Sequence, residues 1–311
     1  MGMESNVVVF GQLARDLVLV VDQVPPAGQS GRVRRRRELL GGKGANQAVA
    51  LAQLGMRPSL VAVAGDDQTG TRLIEQVGKD GIDTSAVIRR PGTRSGLIVD
   101  VVTPDGQWRY LEDLPQSVLL TEEDVAAAED LTANAPWVSI QLQQPPGAVL
   151  AAARQAAAAG ARVVLDGAPS AGGPADDLLA LASVVRADAK EASLLTGTEI
   201  NGQDDARRAA ADILRHGPGL VALAVGEAGN YFAWPGGDLF LPLTNTPVAD
   251  TTGAGDAFTA ALITALHADE PPASAARMAV AAAGATVGHP GGRPALTKSA
   301  LDHQLSLLPA G

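Results

Sequence analysis

The sequence predicts an α/β fold, doubly wound around a mostly parallel sheet with helices on both faces, to which a small β-sheet is added. The main observation is that short apolar runs alternate with segments of helical character. The runs lie at 6–10, 59–64, 137–140, 162–166, 183–186 and 220–225, and the helical segments near 44–54, 69–77, 147–159, 189–195 and 204–215. Strands separated by helices favour a parallel sheet covered on both faces. We expect a single domain over residues 1–311, a length that can bury a substantial core.

Two segments, at about 12–40 and 96–113, interrupt this alternation. In the second, two strand-like runs flank the turn Pro104-Asp105-Gly106, which is typical of a β-hairpin. The first is rich in Val, Pro and Arg and favours extended strands over a helix. Together they predict the small sheet. The last third of the chain is mostly helical, at 254–267, at 273–287 and after Thr297.

Composition narrows the class of partner. The formal net charge of -10 disfavours binding to nucleic acid and to anionic membranes. Four arginines at 34–37 run against this negative charge. They could form an anion patch, but a solvated strand edge is the better interpretation, because charge blunts exposed sheet edges.

The sequence has no cysteine, which excludes disulfides and thiolate chemistry. Without a signal-peptide pattern at residues 1–11, we expect a cytoplasmic protein.

The stretch DTTGAGDAF, at 250–258, precedes a strongly apolar helical segment. Its glycines allow a tight turn and a close approach to a ligand, and the helix that follows presents unpaired N–H groups. This combination suits a phosphate, and Asp256 in the first helical turn could accept the proton of an attacking hydroxyl. The alternative is a glycine-rich turn in which Asp256 only caps the helix.

A second glycine-rich loop, GGKGANQ at 41–47, also opens a helical segment. It is not a P-loop, because no Ser or Thr follows Lys43 at the required spacing. An ordinary loop is the alternative, but two such loops, each opening a helix, favour a ligand site. A Rossmann dehydrogenase is disfavoured, since Gly11-Gln12-Leu13-Ala14 lacks the glycine pattern expected after the first strand.

These loops carry a family resemblance. The stretch GGKGANQAVALAQLG resembles the first signature of the ribokinase-like (PfkB) carbohydrate kinases, and DTTGAGDAF resembles the second. Their order and spacing extend the resemblance over essentially the whole chain. It implies an ATP-dependent sugar kinase that transfers the γ-phosphoryl group to a sugar hydroxyl with Mg²⁺, often with a monovalent cation such as K⁺. It also implies that the small sheet is a lid over the sugar, through which two subunits form a homodimer.

Matching positions suggest roles for individual residues. The resemblance implies a catalytic base at Asp256 and an anion hole at Gly253, Ala254 and Gly255. It implies a sugar site formed by Asp16, Gly42, Lys43, Asn46 and Gln143. The nucleotide and its Mg²⁺ would be bound by Asp188, Glu191, Ala224, Gly226, Gly229 and Gly292, with Glu191 acting indirectly on the metal. Asp250 matches the monovalent-cation position, or is a turn residue at the end of a strand.

The chain also departs from the family pattern. Asp188 stands where Asn is usual, and could simply be a helix N-cap; Ala224 stands where Thr is common. On the sugar side, Ala14 replaces an Asn and Gln143 a Glu, and Leu114-Pro115-Gln116 replaces a Gly-Ala-Asn motif. The resemblance implies ribose or another small sugar, but these departures change which sugar hydroxyls find a partner, so ribose itself is not a safe assignment. The alternatives are a nucleoside, fructose-like or aldonate kinase, or a catalytically silent binding homologue, against which the intact Asp256 argues.

Overall fold

The computed structural model describes residues 5–104, 108–170, 173–248, 250–288 and 295–309. Its strands are β1 Val7–Phe10, β2 Ala14–Val21, β3 Val33–Gly41, β4 Pro58–Gly65, β5 Val87–Arg90, β6 Gly96–Val102, β7 Trp108–Asp113, β8 Trp137–Gln141, β9 Arg162–Asp166, β10 Val184–Ala187, β11 Leu220–Ala224, β12 Asn230–Trp234 and β13 Gly237–Leu241. Its helices are α1 Lys43–Gln53, α2 Gln68–Lys79, α3 Glu122–Ala127, α4 Glu129–Ala133, α5 Pro146–Ala158, α6 Ala175–Leu181, α7 Ala189–Thr196, α8 Gln203–Leu214, α9 Ala254–His267, α10 Pro272–Val287 and α11 Lys298–Leu307.

The main sheet has the strand order β13-β12-β11-β10-β9-β8-β1-β4-β5 within the described residues. From β11 to β5 all neighbours pair in parallel, and only the two pairs that involve β12, with β11 and with β13, are antiparallel. The predicted mostly parallel, doubly wound sheet is confirmed. The hairpin of β12 and β13 was not anticipated, and it forms one edge of the sheet.

Both faces of this sheet are covered by helices. In β1, Val7 and Val9 join the core under α1, α9 and α10, while Val8 and Phe10 join the core under α5 and α8. Because side chains alternate across a strand, this split places helices on opposite faces. A strand buried on both faces needs an unbroken apolar run, which is what residues 7–10 supply.

A separate four-stranded sheet, hereafter the small sheet, has the order β3-β2-β6-β7. Strands β2 and β6 pair in parallel, and the two outer pairs are antiparallel. The predicted β addition is thus present, although the turn residues Asp105 and Gly106 lie outside the described residues. The arginine run lies on the edge strand β3, where Arg34 is exposed and pairs with Asp22, as expected for a solvated edge.

A close backbone approach joins the first strand to the first helix. A Cβ added to Gly44 in α1 would lie 2.7 Å from the Cα of Gly11, just after β1. Gly42, which precedes α1, has a φ of 88° and similarly faces the Gln12 carbonyl. Glycine is required here because backbone atoms, which cannot rotate away, occupy the space of a side chain.

We predict that Gly44→Ala lowers the free energy of unfolding by about 1–3 kcal/mol, the usual cost of overpacking. Chemical denaturation measures this change. The matched control is Gly78→Ala in α2, where an added Cβ has no neighbour within 4 Å. That variant should gain about 0.5–1 kcal/mol from helix propensity alone. Equal effects of the two substitutions would contradict the close approach.

Candidate active site

A cavity of about 460 Å³ lies between the small sheet and the carboxyl edge of the main sheet. Ligands of open α/β sheets typically bind at this edge. Of the residues predicted from sequence, those that line it are Asp16, Gly42, Lys43, Asn46, Gln143, Asp188, Gly253, Gly255 and Asp256. Most of the predicted substrate and catalytic residues, far apart in sequence, are therefore brought together here.

Asp256 lies in the first turn of α9 and is buried. Its carboxylate accepts hydrogen bonds from Asn46 Nδ2 at 3.1 Å and Gln47 Nε2 at 3.4 Å. The cap of α9 is Gly253, in the left-handed conformation with a φ of 74°, so the interpretation of Asp256 as a mere helix cap is wrong. Burial, helped by the charge of Asp166, raises the pKa of Asp256 to about 6. The group is thus an ionised but weakly basic carboxylate near neutral pH.

Beneath Asp256 lies a second carboxylate, Asp166, at the end of β9 and fully buried. It accepts hydrogen bonds from Gln47 Nε2 at 2.7 Å and Arg186 Nη1 at 3.1 Å. The Gln47 amide therefore bridges the two carboxylates, and Ser139 Oγ donates to its oxygen and fixes its orientation. This network was not predicted from the sequence.

Lys43 and Arg186 supply the positive charge of the cavity floor. Lys43 Nζ lies 3.3 Å from Glu191 Oε1, and Arg186 Nη1 lies 3.8 Å from Glu191 Oε2. Burial on its own would raise the pKa of Glu191, but the charges of Lys43 and Arg186 outweigh it and the pKa is lowered. Arg186 also packs against Gly255 at the start of α9, because a Cβ on Gly255 would lie 2.7 Å from its Nη2. A guanidinium is thus fixed directly beside the predicted anion hole.

Glu191 and Asp188 also form a reciprocal cap at the start of α7. Asp188 Oδ1 accepts from the Glu191 N–H, and Glu191 Oε2 accepts from the Asp188 N–H, both at 2.8 Å. The alternative that Asp188 is an N-cap is therefore confirmed, while the same residue also lines the cavity. Gln143 Nε2 donates to Glu191 Oε1 at 2.8 Å, so the predicted sugar-site glutamine holds Glu191 in place.

The small sheet forms the opposite wall, which is acidic. Asp16 and Asp100 are buried and face the cavity, and Glu112 lies at its exposed margin. Burial, together with Asp256, Asp100 and Asp250, raises the pKa of Asp16 to about 7. Burial and Asp250 raise the pKa of Asp100 to about 6. Across the cavity, the Tyr110 hydroxyl lies 3.1 Å from Thr252 Oγ1 and connects this wall to the loop before α9.

Other predicted residues lie outside this cavity lining. Ala224 ends β11, and Gly226 and Gly229 lie in the turn that follows, with positive φ values of 54° and 141°. Asp250 accepts a hydrogen bond from the Thr252 N–H at 2.9 Å, and Ala254 begins α9. Gly292 lies outside the described residues. In the described part of the chain, no group of three or more His, Cys, Asp or Glu side chains is arranged to hold a metal ion.

Sequence reasoning missed Asp166, Arg186 and Asp100. Weak signals were present: Asp166 ends an apolar strand at the edge where ligands bind, and Arg186 is a charge within an otherwise apolar strand. Asp100 likewise interrupts the apolar run of β6. The assembled site combines a buried carboxylate, the start of a helix and two paired cations, an arrangement that suits moving a phosphoryl group onto a hydroxyl.

Comparison with known proteins agrees with this chemistry. The model of the pfkB family carbohydrate kinases matches residues 4–299. The chain is 30% identical to a ribokinase of Staphylococcus aureus (strain COL) over 266 residues, 85% of this chain and 87% of that protein. It is 28% identical to a deoxyribokinase of Salmonella typhi over 81% of this chain and 83% of the relative. The structure of Arabidopsis thaliana ribokinase complexed with ribose and ATP aligns with a TM-score of 0.80 at 26% identity, covering 97% and 99% of the two chains.

The fold and site therefore define a carbohydrate kinase. The chain belongs to the pfkB family, which confirms the resemblance carried by the two glycine loops. Its activity is that of an ATP-dependent sugar kinase. Among the described residues, no helix combines the length and the apolar character needed to cross a bilayer.

We predict that Arg186→Met lowers the free energy of unfolding by about 3–5 kcal/mol, because it leaves the buried charge of Asp166 unpaired. Chemical denaturation of the double variant Asp166→Asn/Arg186→Met should show a smaller loss, since no charge then remains. The matched control is Arg154→Met, whose partner Asp177 is exposed. That change should cost less than about 1 kcal/mol. A double variant no more stable than Arg186→Met would contradict the pairing.

Proposed function

We propose that this kinase phosphorylates a hydroxyl of a small sugar held in the cavity, with Asp256 as the catalytic base. The observation that carries the proposal is the position of Asp256. Its buried carboxylate lies one helical turn from the N–H groups of Gly253, Ala254 and Gly255 and faces the cavity. A base and an anion-binding helix start are thus presented to the same space.

In the proposed reaction, the sugar hydroxyl oxygen attacks the γ-phosphorus of ATP and its proton passes to Asp256. The bond from that phosphorus to the β–γ bridging oxygen breaks, and ADP leaves. The N–H groups at the start of α9 face the transferring phosphoryl oxygens. Arg186, held by Asp166 and packed on Gly255, is a fixed cation beside them.

Glu191 and Asp188 fit an indirect role towards Mg²⁺. Both oxygens of Glu191 already accept hydrogen bonds, from Lys43, Gln143 and the Asp188 N–H, so this carboxylate suits contact through water. A metal bound with ATP would offset phosphate charge.

We further propose that Ala224, Gly226, Gly229 and Gly292 contact the nucleotide and that Asp250 belongs to a K⁺ site. Because ATP is its phosphoryl donor, we propose a cytoplasmic location.

Asp16 is the proposed anchor of the sugar. Its carboxylate is packed against Gly41, where an added Cβ would lie 1.9 Å from Oδ1, so its position is sterically fixed. The relatives reported above include proteins named ribokinase and deoxyribokinase, which supports a small sugar. Ala14 and Gln143 remove an amide and a carboxylate that the family pattern places near the sugar. We therefore propose that ribose is not the preferred substrate.

We predict that Asp256→Asn lowers kcat by about 10²-fold or more, the scale of general-base catalysis. The base acts when ionised, and its pKa is raised, so wild-type kcat should fall as the pH drops below about 6. The residual activity of Asp256→Asn should lack this acid limb. ADP release with saturating sugar, measured across the pH range, provides both results.

The matched control is Asp176→Asn, an exposed carboxylate in the first turn of α6. It should leave kcat and the acid limb unchanged, and calorimetric titration should show that Asp256→Asn still binds ATP. Near-native turnover in Asp256→Asn would remove Asp256 as the base.

The outer face of the small sheet supports a homodimer. Strand register aligns Leu17, Val99 and Leu111 in one row across β2, β6 and β7. Side-chain alternation places this row opposite the face that bears Asp16 and Asp100. Leu111 is 64% exposed, which is unusual for a large apolar side chain within a strand. We propose that two subunits pair through this face.

We predict that the wild-type protein sediments as a dimer at micromolar concentration and that Leu111→Asp shifts it to monomer, because a charge would be buried in the interface. Leu194→Asp is the matched control: Leu194, on α7, is similarly exposed at 59%. It should leave the dimer intact. A wild-type monomer that is fully active would count against pairing through the small sheet.

A further inference from the structure

The acidic wall of the cavity contains two carboxylates without a partner. Asp16 and Asp100 are 7% and 4% exposed, and in each the Oδ1 atom is buried and accepts no hydrogen bond. They lie on the same face of neighbouring strands, because Asp16 is aligned with Ile98, two residues before Asp100. Both residues line the cavity, so their side chains border the space that the acceptor would occupy, while each Oδ1 atom is buried behind that surface.

No protein cation neutralises this pair within the described residues. The cations that line the cavity there are Lys43 and Arg186. Lys43 is bonded to Glu191, and Arg186 is bonded to Asp166, both on the floor. Glu112, at the margin of the same wall, adds further negative charge. The wall is therefore anionic, and the positive groups of the site are committed elsewhere.

Neutral hydroxyls could satisfy the hydrogen bonds of one such carboxylate, but they do not favour ionisation of both neighbouring groups, whose pKa values burial raises to about 7 for Asp16 and about 6 for Asp100. A cationic donor does both, and charge-assisted hydrogen bonds are the stronger kind. A metal ion is not favoured, because the described residues contain no cluster of ligands arranged to hold one. An ammonium group, with three donors and one charge, matches two adjacent carboxylates.

We propose that the acceptor is an amino sugar, whose protonated amine is bound by Asp100 and Asp16 while a hydroxyl elsewhere on the ring is phosphorylated beside Asp256. This inference rests on the proposed kinase function and specifies its substrate class. It makes Asp100, which the sequence did not single out, a specificity-determining residue. The Tyr110 hydroxyl, aligned with Asp100 across β6 and β7, closes the same wall.

The test uses matched pairs of sugars that differ at one position: glucosamine and glucose, galactosamine and galactose, and N-acetylglucosamine as a charge-free derivative. ADP release gives kcat/KM and calorimetry gives Kd at about pH 7. For at least one pair, we expect kcat/KM of the amino sugar to exceed that of its neutral counterparts by about tenfold or more. This is the scale of one charge-assisted hydrogen bond. In Asp100→Asn, the ratio of amine to hydroxyl should fall by about tenfold.

The matched control is Asp113→Asn, which removes the same charge from strand β7 but from a residue that does not line the cavity. It should leave the ratio unchanged. Neutral sugars used as well as or better than amines, or a ratio that Asp100→Asn does not alter, would overturn the amino-sugar assignment alone. Failure to phosphorylate any sugar, neutral or amine, would overturn the kinase proposal together with it.

Discussion

The site depends on how a buried carboxylate, Asp166, is neutralised. It lies at the end of β9 with no exposure to water, and an unpaired charge there would cost several kcal/mol, on the order of the effective desolvation penalty for one ion. Its partners come from three elements: the Gln47 amide from α1, the Arg186 guanidinium from β10 and, at 3.4 Å, the Thr259 hydroxyl from α9. Because these partners neutralise Asp166, they fix α1, at the first glycine loop, relative to β10, whose Arg186 packs against the second glycine loop.

The position of Asp256 follows from that constraint. The Nε2 atom of Gln47 donates to both Asp166 and Asp256, so the position of α1 also determines that of the proposed base. Arg186 extends from Asp166 to Gly255, where only glycine leaves room for it. A structural ion pair beneath the floor thus also places a positive charge beside the proposed anion hole. Preorganised charge of this kind stabilises a transition state without rearrangement during reaction.

The sequence predicted those features that are encoded locally. The apolar strands, the helices and the loops containing Gly42 and Gly253 were recognisable because periodicity, glycine content and helix starts are short-range signals. The hairpin of β12 and β13 was missed because its strands follow β11 without an intervening helix and so fall outside the alternation of strands and helices. Arg186 and Asp100 were missed for a different reason. The role of a charged residue in a strand depends on its neighbours across the sheet, and strand order and register are set by long-range packing.

Charge is segregated across the cavity, and this separation bears on how substrates are oriented. Lys43 and Arg186 lie on the floor beside the start of α9, whereas Asp16 and Asp100 lie on the small sheet opposite. A phosphate group is attracted to the first surface and repelled by the second, so the nucleotide cannot occupy the sugar's place without an electrostatic cost. Burial, together with the charges of Asp256, Asp100 and Asp250, raises the pKa of Asp16, so the ionised form of this wall is costly. A ligand whose own charge offsets that cost would explain why two carboxylates lie side by side here, where they serve recognition rather than stability.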